Sequence, residues 1–387
     1  MVAADLPLAG LTVVALEHAV AAPFCTRQLA DMGARVIKIE RPGTGDFARG
    51  YDTRARGLSS HFVWTNRSKE SLALDLRHEA AAEVLDALVD RADVIVQNLA
   101  PGAAARLGLG WDAVHARNPR TILCDISGYG AGNDRKAYDL LVQAEAGLVS
   151  VTGTPEVPSK AGISISDIAA GMYALTNILS ALIARGVSGR GRHLDVSMLA
   201  ATAEWMGYPM YYAMDGAPPP ARAGAAHATI FPYGPFAATD GEVIFGLQNS
   251  REWQVFCRDV LGDATLAEDA RFATNHARAA NAEALRALIE GAFAGLTCDA
   301  VRARLDAAGI GNARLNDMAA LWDHPALAGR WREVESPAGP LPALLPPGQA
   351  EARMDPIPAL GQHSRAILAE LGLSEDRIDA LAAEGAI

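Results

Sequence analysis

The sequence predicts an α/β fold built on a doubly wound parallel sheet, with a smaller α+β domain inserted into it. Short β-branched runs alternate with helical segments through the first half of the chain, which is the pattern of parallel strands joined by crossover helices. The chain has 387 residues, of which 50% are hydrophobic, so it can bury a large core without disulfides or metals. Two proline-rich stretches, at 216–220 and 336–348, mark the places where the chain leaves and re-enters this fold.

The elements of the first half follow one another in the expected order. Thr12–Leu16 predicts a strand, residues 22–32 predict a helix that ends at Gly33, and Arg35–Glu40 predicts a second strand. Further strands are predicted at 71–76, 93–98 and 121–127, with a helix at 78–92. An apolar helix at about 168–185 is shorter than the roughly 20 residues of a membrane span, so we expect it to be a buried helix.

The second half is divided by the proline-rich stretches, because consecutive prolines make a stiff linker. After the first of them, residues 236–245 predict a hairpin in which Asp240 and Gly241 supply the positive φ angles of a tight turn. Helical segments follow to about Leu321, and residues 361–387 are helical again. We therefore predict a large domain over 1–215, a small domain with its linkers over 216–335 and a C-terminal segment over 336–387.

Composition excludes several classes of partner. The net charge of −11 argues against binding to nucleic acid or to an anionic membrane, so an anionic ligand would need a local group of cations. The nine histidines form no H-x-x-x-H pair, so no metal is expected. The N-terminus lacks the pattern of a signal peptide, which predicts a cytoplasmic protein. The cysteines are far apart and predict reduced thiols: Cys25, Cys124, Cys257 and Cys298.

Ligands of a doubly wound sheet bind at the carboxyl ends of its strands. The first loop at that edge, 17–23, lacks a G-x-G-x-x-G motif, so Glu40 at the end of the second strand is weak evidence for a dinucleotide site. The glycine-rich stretch at 128–132 is followed by no G-K-[ST], and no serine lies in a G-x-S-x-G motif. These absences disfavour a nicotinamide dehydrogenase, a P-loop enzyme and a serine hydrolase.

Asp167 is the most informative single residue. It lies in the small-residue run 164–171, where the apolar helix begins. Free N–H groups and the helix dipole at such a position stabilise a carboxylate, so we expect Asp167 to be ionised at neutral pH and able to attack an activated acyl group. The alternative is an ordinary N-cap aspartate, which contributes about 1 kcal/mol to stability and has no role in chemistry.

Several cations are predicted at or just after strand ends, which would bring them to one edge of the sheet. In an acidic protein, this arrangement favours a phosphorylated ligand. The alternative for each is an ordinary solvated surface charge. The residues are Lys38, Arg41, Arg49, Arg106 and Lys136.

Four blocks of the sequence together resemble the family III CoA-transferases. They are residues 23–43 with Gly45 and Asp46, 66–76, 98–110 and 360–385. In the third block, Leu99 and Ala100 replace the Phe-Arg that is usual in the family. The blocks extend over nearly the whole chain, and their joint occurrence is specific.

The resemblance implies a Rossmann-like large domain, a small domain joined by two linkers, a C-terminal segment that returns to the large domain, and a homodimer of two interlocked chains. It places the nucleophilic aspartate of the family on Asp167. The substrates would be an acyl-CoA and a small carboxylic acid, and no tightly bound cofactor is implied. By motif position, the CoA site would be lined by His18, Ala19, Arg41, Leu74, Asn98, Leu99, Arg106, Lys136 and Tyr138, with Arg41, Arg106 and Lys136 facing phosphates.

Two other functions stay open at this point. The α-methylacyl-CoA racemases resemble the same blocks but use a histidine as proton carrier, and this chain has Tyr138 at the corresponding position. Without that imidazole a racemase lacks its natural base at neutral pH, so CoA transfer is favoured. A non-catalytic CoA-ester binding protein would keep the cations without turnover.

The resemblance also favours a class of substrate. Formyl-CoA transferases carry a run of glycines where this chain has residues 246–251, which argues against oxalate or formate chemistry. The block at 227–236 is closer to family members that act on C4 and C5 dicarboxylic acids, such as succinyl-CoA and mesaconyl-CoA transferases. The candidate partners of a substrate carboxylate are His227, Gln248, Asn249 and Arg251.

Overall fold

The computed structural model describes residues 5–387, which form two compact units. The first unit contains the residues up to 147, 161–207 and 329–387, and the second contains 148–160 and 208–328. Residues 208–215 thus belong to the second unit. Residues 329–335 belong to the first, in which Trp331–Val334 pairs with Leu341–Leu344.

The first unit is built on a six-stranded sheet in which every pair of neighbouring strands is parallel, which confirms the α/β prediction. The strands are β1 (Thr12–Leu16), β2 (Arg35–Glu40), β3 (Lys69–Ala73), β4 (Val94–Gln97), β5 (Ile122–Ser127) and β6 (His193–Ser197). Their order across the sheet is β3-β2-β1-β4-β5-β6. The strand order therefore reverses between β1 and β4, and ligands of such sheets bind in the crevice at this point.

Helices cover the sheet on both faces. They are α1 (Ala21–Asp31), α2 (Ser60–Thr65), α3 (Ala81–Arg91), α4 (Ala103–Arg106), α5 (Trp111–Arg117), α6 (Asp139–Glu145), α8 (Ile165–Ser188), α9 (Met198–Trp205), α16 (Ser364–Glu370) and α17 (Glu375–Ala383). One hydrophobic cluster lies between the sheet and α1, α8 and α9, and a second lies between the sheet and α3, α16 and α17. Apolar strands buried on both faces explain the β-branched runs in the sequence.

Helix α8 is the apolar helix expected from the sequence, and it is longer at both ends than predicted. By length and a mean hydropathy of 1.4 it would also suit a membrane span. In this structure one face of α8 packs against α1, where Gly171 allows close approach: a Cβ at that position would lie 2.7 Å from the Ala21 carbonyl oxygen. Arg185, near the other end of the helix, forms an ion pair with Asp93.

The second unit combines an antiparallel sheet with short helices. Its strands are β7 (Tyr233–Ala238), β8 (Gly241–Gly246) and β9 (Asn312–Arg314). Its helices are α7 (Leu148–Val151), α10 (Gly207–Tyr212, of which Gly207 belongs to the first unit), α11 (Ser250–Val255), α12 (Asn275–Ala280), α13 (Ala282–Phe293), α14 (Cys298–Ala307) and α15 (Met318–Trp322). The hairpin predicted at 236–245 is confirmed, but only Gly241 has a positive φ, whereas Asp240 does not.

A second hairpin was missed by the sequence analysis. Strand β10 (Trp331–Val334), just before the second proline-rich stretch, pairs antiparallel with β11 (Leu341–Leu344), which lies inside that stretch. Val334 and Leu341 pack with Phe62 in a small cluster of the first unit. Pro342 is tolerated because an edge strand does not need every backbone donor.

Candidate active site

The loops at the point of strand reversal are tied together by side chains. The His18 N–H donates to Asn98 Oδ1 at 2.8 Å, and Asn98 Nδ2 donates back to the His18 carbonyl at 2.9 Å. Ala19 follows with a φ of 62°, a conformation that L residues rarely adopt, and its N–H donates to Asp46 Oδ1 at 3.1 Å. Three residues assigned to the CoA site by resemblance, His18, Ala19 and Asn98, are thus neighbours at the sheet edge where ligands of this fold bind.

Beneath these loops lies a fully buried cluster of charges. Lys38 Nζ donates to Asp46 Oδ2 at 2.8 Å, and Lys69 Nζ donates to Glu17 Oε1 at 2.6 Å. Burial alone would raise the pKa of Glu17, but Lys69 and Lys38 reverse this and lower it. The expectation that Lys38 faces a phosphorylated ligand is therefore wrong, because its ammonium group is enclosed and neutralised inside the protein.

Of the other four cations, one is paired with a carboxylate of the protein and three are exposed to solvent. Arg49 donates to both carboxylate oxygens of Glu40 at 2.8 Å, so it too is paired internally rather than available to a phosphate. Arg41, Arg106 and Lys136 are exposed and enter no ion pair among residues 5–387. These three are the residues that the resemblance assigns to phosphate contacts.

Asp167 is half-buried in the first turn of α8. It is not the N-cap: that position is Ser164, and the first-turn N–H groups of Ser166 and Asp167 donate to Asp139 Oδ1 at 2.8 and 3.2 Å. The Asp167 carboxylate accepts no hydrogen bond from residues 5–387. Burial and the charge of Asp139 raise its pKa to about 7. The expectation of a carboxylate stabilised by the helix terminus and ionised throughout the neutral range is therefore corrected, because Asp139 occupies the donors.

The sequence analysis did not identify two aromatic residues at these loops, Phe47 and Tyr51. Tyr51 is half exposed, and burial together with the charges of Asp46 and Asp167 raises its pKa to about 12. Phe47 stacks on His18 at 5.2 Å and contacts Tyr51 at 5.8 Å between ring centroids. The only signal in the sequence was their position directly after Gly45 and Asp46 in the first block that resembles the family.

The remaining residues predicted at the CoA site differ in accessibility. Tyr138 is 66% exposed and is the N-cap of α6. Leu99 is half-buried against the hydrophobic core. Leu74 is 1% exposed and packs inside that core, so only its backbone could contact a ligand.

A cavity of about 330 Å³ lies at the same edge of the sheet. It is lined by Pro42 and Gly43, which directly follow Arg41, and by Ala73 at the end of β3. Gly361 and Ser364 at the start of α16 close another side of it. The cavity and an unpaired arginine thus adjoin each other on the first unit.

The candidate substrate residues of the second unit are largely engaged within that unit. Asn249 is the N-cap of α11: its Oδ1 accepts from the Glu252 N–H and its Nδ2 donates to Glu252 Oε1, both at 2.9 Å. Its side chain therefore caps the N-terminus of α11. His227 stacks on Tyr233 and accepts from two backbone N–H groups through Nδ1. The side chains of Gln248 and Arg251 are exposed and enter no hydrogen bond among residues 5–387.

Metals and disulfides have no visible place in the described part of the chain. Among residues 5–387, no group of three or more His, Cys, Asp or Glu side chains is arranged to hold a metal ion. The four cysteines are buried and unpaired.

Residues 8–364 match the family model described as CoA-transferase family III. The chain is 32% identical over 389 residues to the succinate–glutarate CoA-transferase of Agrobacterium fabrum, which covers 94% of this chain and 96% of that protein. It is 38% identical over 292 residues to the acetyl-CoA:oxalate CoA-transferase of Acetobacter aceti, which covers 74% and 75% of the two chains. A solved structure of a CaiB/BaiF family protein from Brucella suis has a TM-score of 0.82 at 34% identity, with 95% of this chain and 99% of that chain covered.

Proposed function

The chain belongs to CoA-transferase family III, and from this membership we propose that it moves CoA from a C4 or C5 dicarboxylyl-CoA, such as succinyl-CoA or mesaconyl-CoA, to a carboxylic acid. The relative named for succinate and glutarate supports this class of acid. The observation that carries the proposal is the Asp167 carboxylate, which is half-buried at the edge of the sheet and accepts no hydrogen bond from residues 5–387. Its oxygens are therefore free to attack.

The proposed reaction has four substitutions at acyl carbon, two with the donor and two with the acceptor. An Asp167 oxygen attacks the thioester carbonyl of the donor and expels CoA thiolate, which forms a mixed anhydride between Asp167 and the donor acid. The thiolate then attacks the aspartyl carbonyl and releases the donor carboxylate, which leaves an aspartyl-CoA thioester. The acceptor carboxylate attacks this thioester and expels CoA thiolate, which forms a second mixed anhydride. The thiolate then attacks the acceptor carbonyl of this anhydride, so that the acceptor leaves as its CoA ester and the Asp167 carboxylate is restored. No net proton is consumed.

Each step places negative charge on a carbonyl oxygen, and donors that stabilise it lower the barrier. The Ser166 and Asp167 N–H groups cannot be these donors, because Asp139 already accepts from them. Water must be kept away from the anhydride, which it would hydrolyse. The exposed rings of Phe47 and Tyr51, which contact each other at the loops of the sheet edge, supply apolar surface for this purpose.

Binding of CoA is assigned to the edge of the sheet after β1, β2 and β4. The cations Arg41, Arg106 and Lys136 would meet the phosphates, since they are exposed and unpaired among the described residues. The open cavity lined by Pro42 and Gly43, next to Arg41, offers a place for the nucleotide end of the molecule. CoA is a substrate in this scheme, not a resident cofactor.

The proposal includes a cytoplasmic homodimer of interlocked chains, as the family resemblance implies. The face of α8 that points away from the sheet exposes Met172, Ile183 and Val187, of which Val187 is 92% exposed. Helix α10 likewise exposes Met210 and Tyr211. Apolar surfaces of this kind on a single chain are typical of association.

The decisive experiment compares wild type with Asp167→Ala on succinyl-CoA and a panel of carboxylic acids that includes oxalate, glutarate and mesaconate. We expect new CoA thioesters by mass spectrometry with wild type and none with Asp167→Ala, while both bind the CoA ester in calorimetry. Asp90→Asn, a surface aspartate paired with Arg117, is the matched control and should stay active. Wild-type turnover by Asp167→Ala would falsify the mechanism.

The two alternatives have their own signatures in the same experiment. Binding of the CoA ester without transfer to any acid of the panel would indicate a binding protein. Deuterium wash-in at the α-carbon of a branched acyl-CoA, without a new thioester, would indicate a racemase. The presence of Tyr138 in place of a histidine argues against the second outcome.

A further inference from the structure

The start of α8 is capped by a residue from another helix. Asp139, the first residue of α6, accepts the N–H groups of Ser166 and Asp167 through Oδ1 at 2.8 and 3.2 Å. Ser164 occupies the N-cap position and could do this with its hydroxyl, yet its side chain makes no capping hydrogen bond. The cap is therefore the carboxylate of Asp139, which lies 28 residues before Asp167 in the sequence. The neutral hydroxyl of Ser164, which is adjacent in the chain, is not used.

A glutamine fixes the orientation of this carboxylate. Gln143 Nε2 donates to Asp139 Oδ2 at 2.6 Å. The other end of the same amide, Oε1, accepts from the Ala161 N–H at 2.9 Å, so the NH₂ group must face Asp139. Three N–H donors thus converge on the two oxygens of the Asp139 carboxylate.

Asp167 receives none of these donors. A carboxylate in the first turn of a helix normally gains from free N–H groups, and that gain lowers its basicity. Here burial and the neighbouring charge of Asp139 raise the pKa of Asp167 instead. The other elements packed against α8 carry Cys25, Arg27, Asp31, Cys124, Asp125, Glu145, His193, Asp195 and Glu204, and none of these is among the causes of the raised pKa of Asp167.

Resting on the proposed function, we propose that Asp139 is a positioning residue for acyl transfer. It occupies the N–H groups at the start of α8 and places a negative charge beside the nucleophile, which keeps the Asp167 carboxylate free of hydrogen bonds and more basic than an ordinary aspartate. A more basic carboxylate is a better nucleophile toward a thioester. Asp139 itself touches neither the substrate nor the reacting atoms in this role.

The test is the pH dependence of kcat/KM in Asp139→Asn, Asp139→Glu and the surface control Asp90→Asn. On the low-pH side of this profile, kcat/KM falls as Asp167 becomes protonated, and we call this side the acid limb. Removing the charge in Asp139→Asn should move the acid limb to lower pH by about one unit. It should also lower kcat above pH 8 roughly tenfold, because Asp167 becomes a weaker base. Asp139→Glu keeps the charge, so its acid limb should lie at the same pH as that of wild type. The acid limb of Asp90→Asn should also be unchanged.

A purely structural cap predicts a different pattern. Asp139→Asn would then lower the melting temperature and leave the acid limb in place, and this result overturns the proposal. An equal shift in Asp139→Glu overturns it as well, because the charge would not be the cause.

A second measurement serves if Asp139→Asn does not fold. In wild type labelled with ¹³C at aspartate carboxyls, the signal that disappears in Asp167→Asn should titrate near pH 7. Such a signal, together with an unshifted limb in Asp139→Glu, supports the proposal, whereas titration near the ordinary value of about 4 overturns it. This measurement needs no turnover, so failure of the transferase assignment in Asp167→Ala is distinguished from failure of this inference.

Discussion

Asp167 lies half-buried beside Asp139, so its negative charge costs the folded chain free energy that the unfolded chain does not incur. Its pKa rises from 3.8 in the unfolded chain to about 7 in the folded one. The native state therefore binds more protons between these values, and stability falls as the pH rises through this window. A side chain kept reactive in this way is destabilising, as is common for catalytic groups.

Because stability falls as the pH rises through this window, Asp167→Asn, which removes the charge and keeps the shape of the side chain, should be more stable than wild type at high pH. Its melting temperature should exceed that of wild type at pH 8 and match it near pH 4. The gain in free energy of unfolding should be roughly 4 kcal/mol at most, since one pKa unit is about 1.4 kcal/mol. Thermal denaturation at the two pH values measures it, with Asp90→Asn as the exposed control. An equal difference at both pH values would show that Asp167 is not the titrating group.

A site residue could be predicted from the sequence when its role depends on its neighbours in the chain. It could not when its role depends on residues that are far away in the sequence. Asp167 could be found because its position at a helix start is a local pattern. The role of Asp139 could not, because it depends on α6 and α8 meeting in the folded chain. Lys38 shows the same limit: it lies on a strand as predicted, but the pattern does not reveal that Asp46 and Glu17 enclose its ammonium group.

At the scale of elements, much of the alternation of strands and helices in the first half was predictable because β1, β2 and β4 are largely buried and rich in apolar residues. Strands β1 and β2 match their predicted bounds. Strand β3 begins two residues earlier than expected, at Lys69. A charged residue does not indicate a buried strand in the sequence, and Lys69 is buried only because it pairs with Glu17. Strands β10 and β11 were missed because the prolines around them indicate irregular chain.

Helix α8 offers a matched pair of glycine substitutions. Gly171→Ala should destabilise the first unit by about 1–3 kcal/mol, because its Cβ would lie 2.7 Å from the Ala21 carbonyl oxygen. Gly186→Ala, near the other end of α8, has no atom within 4 Å and should stabilise the helix by up to about 1 kcal/mol. Urea denaturation compares the two. If Gly171→Ala were as stable as Gly186→Ala, the contact between α1 and α8 would not be close packed.

At the scale of the whole molecule, the proposed dimer makes a prediction about the exposed face of α8. Ile183→Lys with Val187→Lys should convert a dimer to a monomer or leave an aggregating chain, since charges would enter an apolar interface. Light scattering after size exclusion measures the mass, and Leu288→Lys, an exposed leucine of the second unit, is the comparison. A wild type that already has the mass of one chain, with unchanged mass in the double variant, contradicts the dimer.

The discontinuous first unit also bears on how the chain is made. Helices α16 and α17 cover one face of the sheet, and the Ala386 carbonyl accepts the Asp75 N–H at 2.8 Å. On the ribosome, strands β1–β6 are synthesised before residues 208–328, and α16 and α17 are synthesised after them. Part of an apolar sheet face therefore stays uncovered in the nascent chain until these helices emerge, which is the situation in which chaperones bind. The second unit, whose residues 208–328 are consecutive, can complete its own core in that interval.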